Sequence, residues 1–99
     1  MTIKEFQEAV SKIDHKNNMI DQYFYKLSEE VGELAKALRH DTRLSETKEI
    51  KGSVEEELYD VFYYVICLCN VLGIDLEEIG MLKEELNAKK YGRKSIFES

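Results

Sequence analysis

The sequence predicts an all-α fold: four helices in a single domain over residues 1–99, a helical bundle completed by oligomerisation. Three observations carry this. The chain has no proline and only five glycines, so long uninterrupted helices are allowed. Its apolar residues recur at i, i+3, i+4 and i+7 over separate stretches instead of alternating as they would in strands. Ninety-nine residues form one core near the size at which burial is marginal, and association with further copies would help it.

The first helix is expected from residue 2 to about residue 14, with Thr2 and Glu5 as a capping box and Ile3, Phe6, Val10 and Ile13 as its apolar stripe. Lys16, Asn17 and Asn18 break it. The second, about residues 19–40, places Ile20, Tyr23, Phe24, Leu27, Val31, Leu34 and Leu38 on one face. Residues 41–52 hold no sustained period and read as a connecting loop with room for a short helical turn, the first candidate for mobility.

The third helix, residues 53–73, is the centre of the fold. Ser53 and Glu56 read as its capping box, and Gly73 can take the left-handed conformation that ends it. Val54, Leu58, Val61, Phe62, Val65, Leu68, Cys69 and Leu72 make one apolar stripe, while Tyr59, Tyr63, Tyr64, Ile66 and Cys67 leave little polar surface opposite. A helix apolar nearly all round is buried on several sides, which predicts a homodimer or a homotetramer built as a dimer of dimers. Asp75 and Glu78 cap a fourth helix to about residue 91, with Leu76, Ile79, Leu82 and Leu86 expected inward. Residues 92–99 follow as a basic tail expected to be mobile.

Charge excludes some functions. Fourteen basic against twenty acidic residues give a net charge of −6, which disfavours a nucleic-acid polymer as partner and leaves room for a small phosphorylated ligand offset by a metal. Cys67 and Cys69 point about 200° apart on a helix and read as small buried hydrophobes. His15 and His40 are isolated and read as surface residues. The amino-terminal stretch MTIKEFQEAV is no signal peptide, and the nearly uncharged run 61–74 falls short of the roughly 20 residues that span a bilayer. A cytoplasmic location with no membrane partner is the expectation.

The acids carry the chemistry. On the third helix Glu57 lies roughly 60° to one side of the stripe's centre and Asp60 roughly 120°, and on the second helix Glu30 and Glu33 stand in the same relation to Leu27 and Leu34. If the two helices pack antiparallel, all four carboxylates face one cleft. Each pair at about 5 Å then repels by roughly 3 kcal/mol at an effective dielectric near 20, so a cation is needed. Oxygen ligands without His or Cys suit Mg²⁺ or Mn²⁺. By spacing alone the same acids also fit solvated helix faces, with Lys26 pairing Glu30 and Lys36 pairing Glu33.

Glu30-x-x-Glu33 within KLSEEVGELAKAL and Glu57-x-x-Asp60 within EEELYDVFYYVICLCNVLGIDLEE resemble the paired motif of the MazG-like all-α nucleotide pyrophosphohydrolases, in particular their dCTP-pyrophosphatase-like branch. The likeness extends to ELNAKKY in the fourth helix and covers residues 23–91 except the loop. It implies that Glu30, Glu33, Glu57 and Asp60 are ligands of Mg²⁺, or of Mn²⁺. The implied reaction is hydrolysis of a nucleoside triphosphate between the α- and β-phosphates, giving a monophosphate and pyrophosphate, in the house-cleaning of non-standard or surplus nucleotides.

The resemblance makes Glu30 the candidate base, with Glu29 or Glu56 as alternatives, and Tyr64 and Asn87 candidates for nucleotide contact. Tyr64 reads equally as core and Asn87 as a surface residue. Lys90, with Lys89, Arg93 and Lys94, is a candidate for the phosphates, though cations late in a helix also complement its dipole. The chain departs from the pattern in Tyr59, where a small residue is usual, and in lacking tryptophan, which leaves Phe6 and Phe24 as substitutes for base stacking. Two other readings remain open: a phosphoribosyl-ATP pyrophosphohydrolase-like enzyme, and a non-catalytic helical dimerisation or adaptor module.

Overall fold

The computed structural model describes residues 1–14 and 19–97, in which five helices and no strand form. The expected break at Lys16, Asn17 and Asn18, like His15, lies outside the described residues. Helix α1 (Ile3–Ile13) starts on the expected capping box: the Thr2 hydroxyl accepts from the Glu5 N–H, and the Thr2 N–H donates to the Glu5 carboxylate. Helix α2 (Ile20–His40) has no side-chain cap at its start and ends at Asp41, whose φ of 50° lets its N–H reach the carbonyls of Ala37 and Leu38. The turn admitted within the connecting loop is α3 (Leu44–Thr47).

Helix α4 (Val54–Leu72) begins at Ser53, which is fully buried. Its hydroxyl accepts from the Glu56 N–H and donates to the Ile50 carbonyl. The Glu56 carboxylate takes the N–H of Gly52 instead of that of Ser53, so the reciprocal half of the expected box is displaced by one residue. The loop before α4 is tied to that helix: the Val54 N–H donates to the Thr42 carbonyl, and the Glu55 carboxylate receives the Leu44 N–H and the Arg43 guanidinium. Gly73 closes α4 at φ 70°, with the Ile74 N–H on the Cys69 carbonyl. Asp75 caps α5 (Leu76–Tyr91) by accepting from the Glu78 N–H. Beyond Gly92 the tail turns back, pairing Arg93 with Glu84 and setting the Phe97 ring near Gly80.

The largest interface joins α2 and α4. They run antiparallel: Thr42 bonds to Val54 at one end, Glu30 meets Glu57 and Asp60 midway, and Tyr23 shares a cluster with Ile66 and Cys67 at the other. Helix α1 lies on α4 and contributes Val10 to that cluster, with Phe6, Tyr63, Tyr64, Leu68, Val71 and Leu76 packed around it. A buried amide pins the far side: the Gln7 side chain donates to Asn70 and the Ile74 carbonyl and accepts from the Leu76 N–H, so α1 is locked to the α4–α5 turn with every polar atom of that amide used. The Tyr23 hydroxyl donates to Asp14 and joins the end of α1 to α2.

The core differs in one respect from the stripes expected. Ile66 and Cys67, placed on the far side of the central helix, are its fully buried residues, whereas Leu58 and Leu72 of the stripe are 54% and 52% exposed. On α2 only Tyr23 and Ala37 are buried, and Phe24, Val31 and Leu38 face outward. Ile79, Leu82 and Leu86 of α5, expected inward, are exposed as well. The physical reason is that α5 meets α1 and leaves the apolar sides of α2 and α4 uncovered. The chain is accordingly open. Its accessible surface is 7434 Å², where an 11.6 kDa monomer has about 5,800 Å², and its radius of gyration is 16.1 Å against about 13 Å.

Candidate metal centre

The α2–α4 interface holds an acidic group at its middle. Antiparallel packing places Glu30 of α2 against Glu57 and Asp60 of α4, and one carboxylate oxygen from each lies within 4.8 Å of the other two. The i, i+3 spacing of Glu57 and Asp60 sets both on the side of α4 that meets α2. Glu57 is the deepest, 7% exposed, and its Oε2 is buried with no hydrogen-bond partner among the described residues.

Such a group is costly to leave charged. Burial, then the hydrogen bond and charge of Glu30 and the charges of Asp60 and Glu56, push Glu57 up to about 7. Burial and the Glu30 and Glu56 charges raise Asp60 too. A buried acceptor with no donor, between two further carboxylates, fits a cation with oxygen preference: the donor set is all carboxylate, as Mg²⁺ or Mn²⁺ favours.

The other candidates fall at different places. Glu33, one turn beyond Glu30, is exposed and outside the 4.8 Å group. It lines a 140 Å³ pocket with Lys36, Ala37, His40, Thr42, Gly52 and Glu57, at the edge of the centre. Tyr64 borders the acids. Its hydroxyl is raised first by burial and also feels Lys26, Glu30 and Asp60, while its ring packs against the core and edge-on to Tyr63.

Asn87 donates to Glu84, whose other oxygen takes Arg93, and the Lys90 ammonium lies 5.3 Å from the Tyr91 ring centroid. Since α5 packs chiefly on α1, the structure does not bring either to the three acids of the same chain. The ion pairs expected for solvated faces do not form among the described residues: Lys26 pairs with Glu29 instead of Glu30, and no pair joins Lys36 to Glu33. Cys67 and Cys69 are buried free thiols. No described helix is long and apolar enough to cross a membrane. The pocket lined by Lys36 and His40 is the feature that sequence reasoning missed; the i, i+4 spacing of a lysine and a histidine just after Glu33 is its only signal.

Comparison with known proteins identifies relatives of the chain and of its fold. The family model described as the MazG nucleotide pyrophosphohydrolase domain matches residues 19–94. The crystal structure of Ntag-iMazG from Vibrio DAT 722 is 45% identical, with a TM-score of 0.83 over 94% of this chain and 100% of that one. A Ctag-iMazG crystal structure from the same source is 44% identical, with a TM-score of 0.79 over 88% and 98% of the two chains. The uncharacterized protein YpjD of Bacillus subtilis (strain 168) is 42% identical over 55 residues, 54% of this chain. That match spans 50% of YpjD.

Proposed function

We propose a function from one premise: this chain belongs to the MazG nucleotide pyrophosphohydrolase family. It hydrolyses a nucleoside triphosphate, ribo or deoxy, to the monophosphate and pyrophosphate with the help of Mg²⁺ or Mn²⁺, and so clears non-standard or surplus nucleotides. The observation that carries this reading is the group of Glu30, Glu57 and Asp60, with the buried and unpartnered Oε2 of Glu57 inside it. A module that served only to dimerise would have no use for that buried acceptor.

Glu30, Glu57 and Asp60 would hold the metal, with Glu33 as a fourth ligand at the edge. When bound, the cation supplies polarisation of the phosphoryl oxygens and acidifies a water. Glu30 would take the proton from the attacking water. Glu29 is occupied by Lys26 and Glu56 by the Gly52 N–H, which leaves both less free for that task. Tyr64 supplies an aromatic wall beside the acids for the nucleoside. We further infer that copies assemble through the exposed sides of α2, α4 and α5. The excess of about 1,600 Å² per chain over a closed monomer of this mass is the amount each partner buries in an obligate interface. Asn87 and Lys90 then belong to a face that a second copy can bring near the acids.

The test is a panel of canonical and modified nucleoside triphosphates with Mg²⁺, scored for pyrophosphate release, followed by hydrolysis in ¹⁸O-water. Pyrophosphate released in one step, with label in the monophosphate, is the expected result. Orthophosphate as first product, or label in pyrophosphate alone, would overturn the mechanism.

A further inference from the structure

The groove between α2 and α4 has two unlike ends. On the amino-terminal side of Glu30 stand Tyr64 and Tyr63, half-buried aromatic rings, and Lys26, which pairs with Glu29. On the other side the groove runs into the 140 Å³ pocket between the last turns of α2 and the start of α4. Lys36 and His40, one turn apart on α2, line it together with Thr42, and neither forms an ion pair among the described residues. Glu33 and Glu57 line the same pocket, so it opens directly onto the acids.

We propose that this pocket is the subsite for the leaving diphosphate of the substrate, with Lys36 and His40 as its positioning donors. The inference rests on the function proposed above and adds a direction to it. A pocket for a nucleoside-sized ligand measures about 300–1,000 Å³; 140 Å³ holds only a small group, about the share of four or five waters. The diphosphate is also the part with the highest charge density. Bare carboxylates repel it, and a cation that Glu30, Glu57 and Asp60 would hold offsets three acids before it meets the substrate, so positive charge on the distal side would add to its binding. The Lys36 ammonium brings three donors, and His40 donates from its ring N–H in either charge state. Compensation of the α2 dipole alone would account for basic residues such as Arg39 in its last turn, but gives no preference among phosphate ligands.

The experiment measures binding of Mg²⁺ alone, and of inorganic pyrophosphate and AMP each in the presence of Mg²⁺, by calorimetry on the full chain and on Lys36→Gln, Lys36→Arg and Lys26→Gln. In Lys36→Gln, pyrophosphate affinity is expected to fall roughly ten- to hundredfold, the effect of one lost charge-assisted hydrogen bond. Mg²⁺ affinity and AMP affinity should stay within about twofold. Lys36→Arg should retain most of the pyrophosphate affinity, and Lys26→Gln should leave it unchanged. The subsite is overturned if Lys36→Gln binds pyrophosphate like the parent, if AMP weakens equally, or if the parent with Mg²⁺ binds no pyrophosphate. The proposed function stands or falls separately, on pyrophosphate release by the unmodified chain.

Discussion

Replacing Glu57 by glutamine should stabilise the metal-free protein, and by an amount that depends on pH in a set direction. At 4.8 Å, two unit charges repel by about 3.5 kcal/mol at an effective dielectric of 20, and Glu57 faces two such neighbours. Burial first, and then the hydrogen bond and charge of Glu30 and the charge of Asp60, keep a proton on it, which is why its pKa is pushed up to about 7 from 4.5. Between those values the folded chain keeps a proton that the unfolded chain has released. Stability from this group is therefore complete below about 4.5, falls as pH rises, and levels off above about 7. The rise corresponds to about 3 kcal/mol, or roughly 2 kcal/mol once screening at the mouth of the groove is allowed for.

Glutamine has no charge to lose, and its amide can donate to the Glu30 carboxylate. Urea unfolding of Glu57→Gln and the parent, in EDTA at one fixed protein concentration, should show the variant more stable by roughly 2 kcal/mol at pH 8, with the gap closing toward pH 4.5. Holding the concentration fixed keeps association from mimicking the effect. A gap of equal size at both pH values would mean that the cost of the buried Glu57 charge is not its origin. A variant less stable at pH 8 would mean that Glu57 is a structural partner whose acceptor was satisfied, and would remove the case for a cation.

Mg²⁺ must displace the Glu57 proton, so its apparent affinity should be about tenfold weaker at pH 6 than at pH 8, with proton release on binding near pH 6.5; calorimetry in buffers of different ionisation enthalpy checks both. Asp60→Asn should leave the metal-free protein at least as stable as the parent, because burial and Glu30 already disfavour the Asp60 charge, and should abolish pyrophosphate release; unfolding of the metal-free variant would sink the assignment. At micromolar concentration the chain should sediment as a dimer or tetramer, and Leu58→Glu or Phe62→Glu should dissociate it; a stable monomeric parent would contradict the reading of the exposed faces.

The helices and their ends could be read from the chain because caps are local. Thr2 with Glu5, Gly73 and Asp75 with Glu78 act within one turn, where sequence neighbours are also spatial neighbours. The meeting of Glu30 with Glu57 and Asp60 was legible on one added assumption, antiparallel packing of two long helices, which the short connection between them favours. Glu33 stands about one turn further along α2 than Glu30, outside the group of three but on the pocket that it lines together with Glu57. The face of α4 turned to its own chain was legible only in part: Val54 and Cys69 of the expected stripe are buried and Leu68 packs on the core. Periodicity finds apolar sides but not what covers them, and α4 has apolar residues on nearly every side: Ile66 and Cys67 are claimed by α1 and α2, while Leu58, Phe62 and Leu72 are left exposed. The same holds for Leu82 and Leu86 of α5, whose pattern is that of a core helix although its own chain offers it little beyond α1. The residues that misled the reading of the core are therefore those on which the proposed assembly rests, since a large exposed apolar face is the mark of a surface that a second copy would cover.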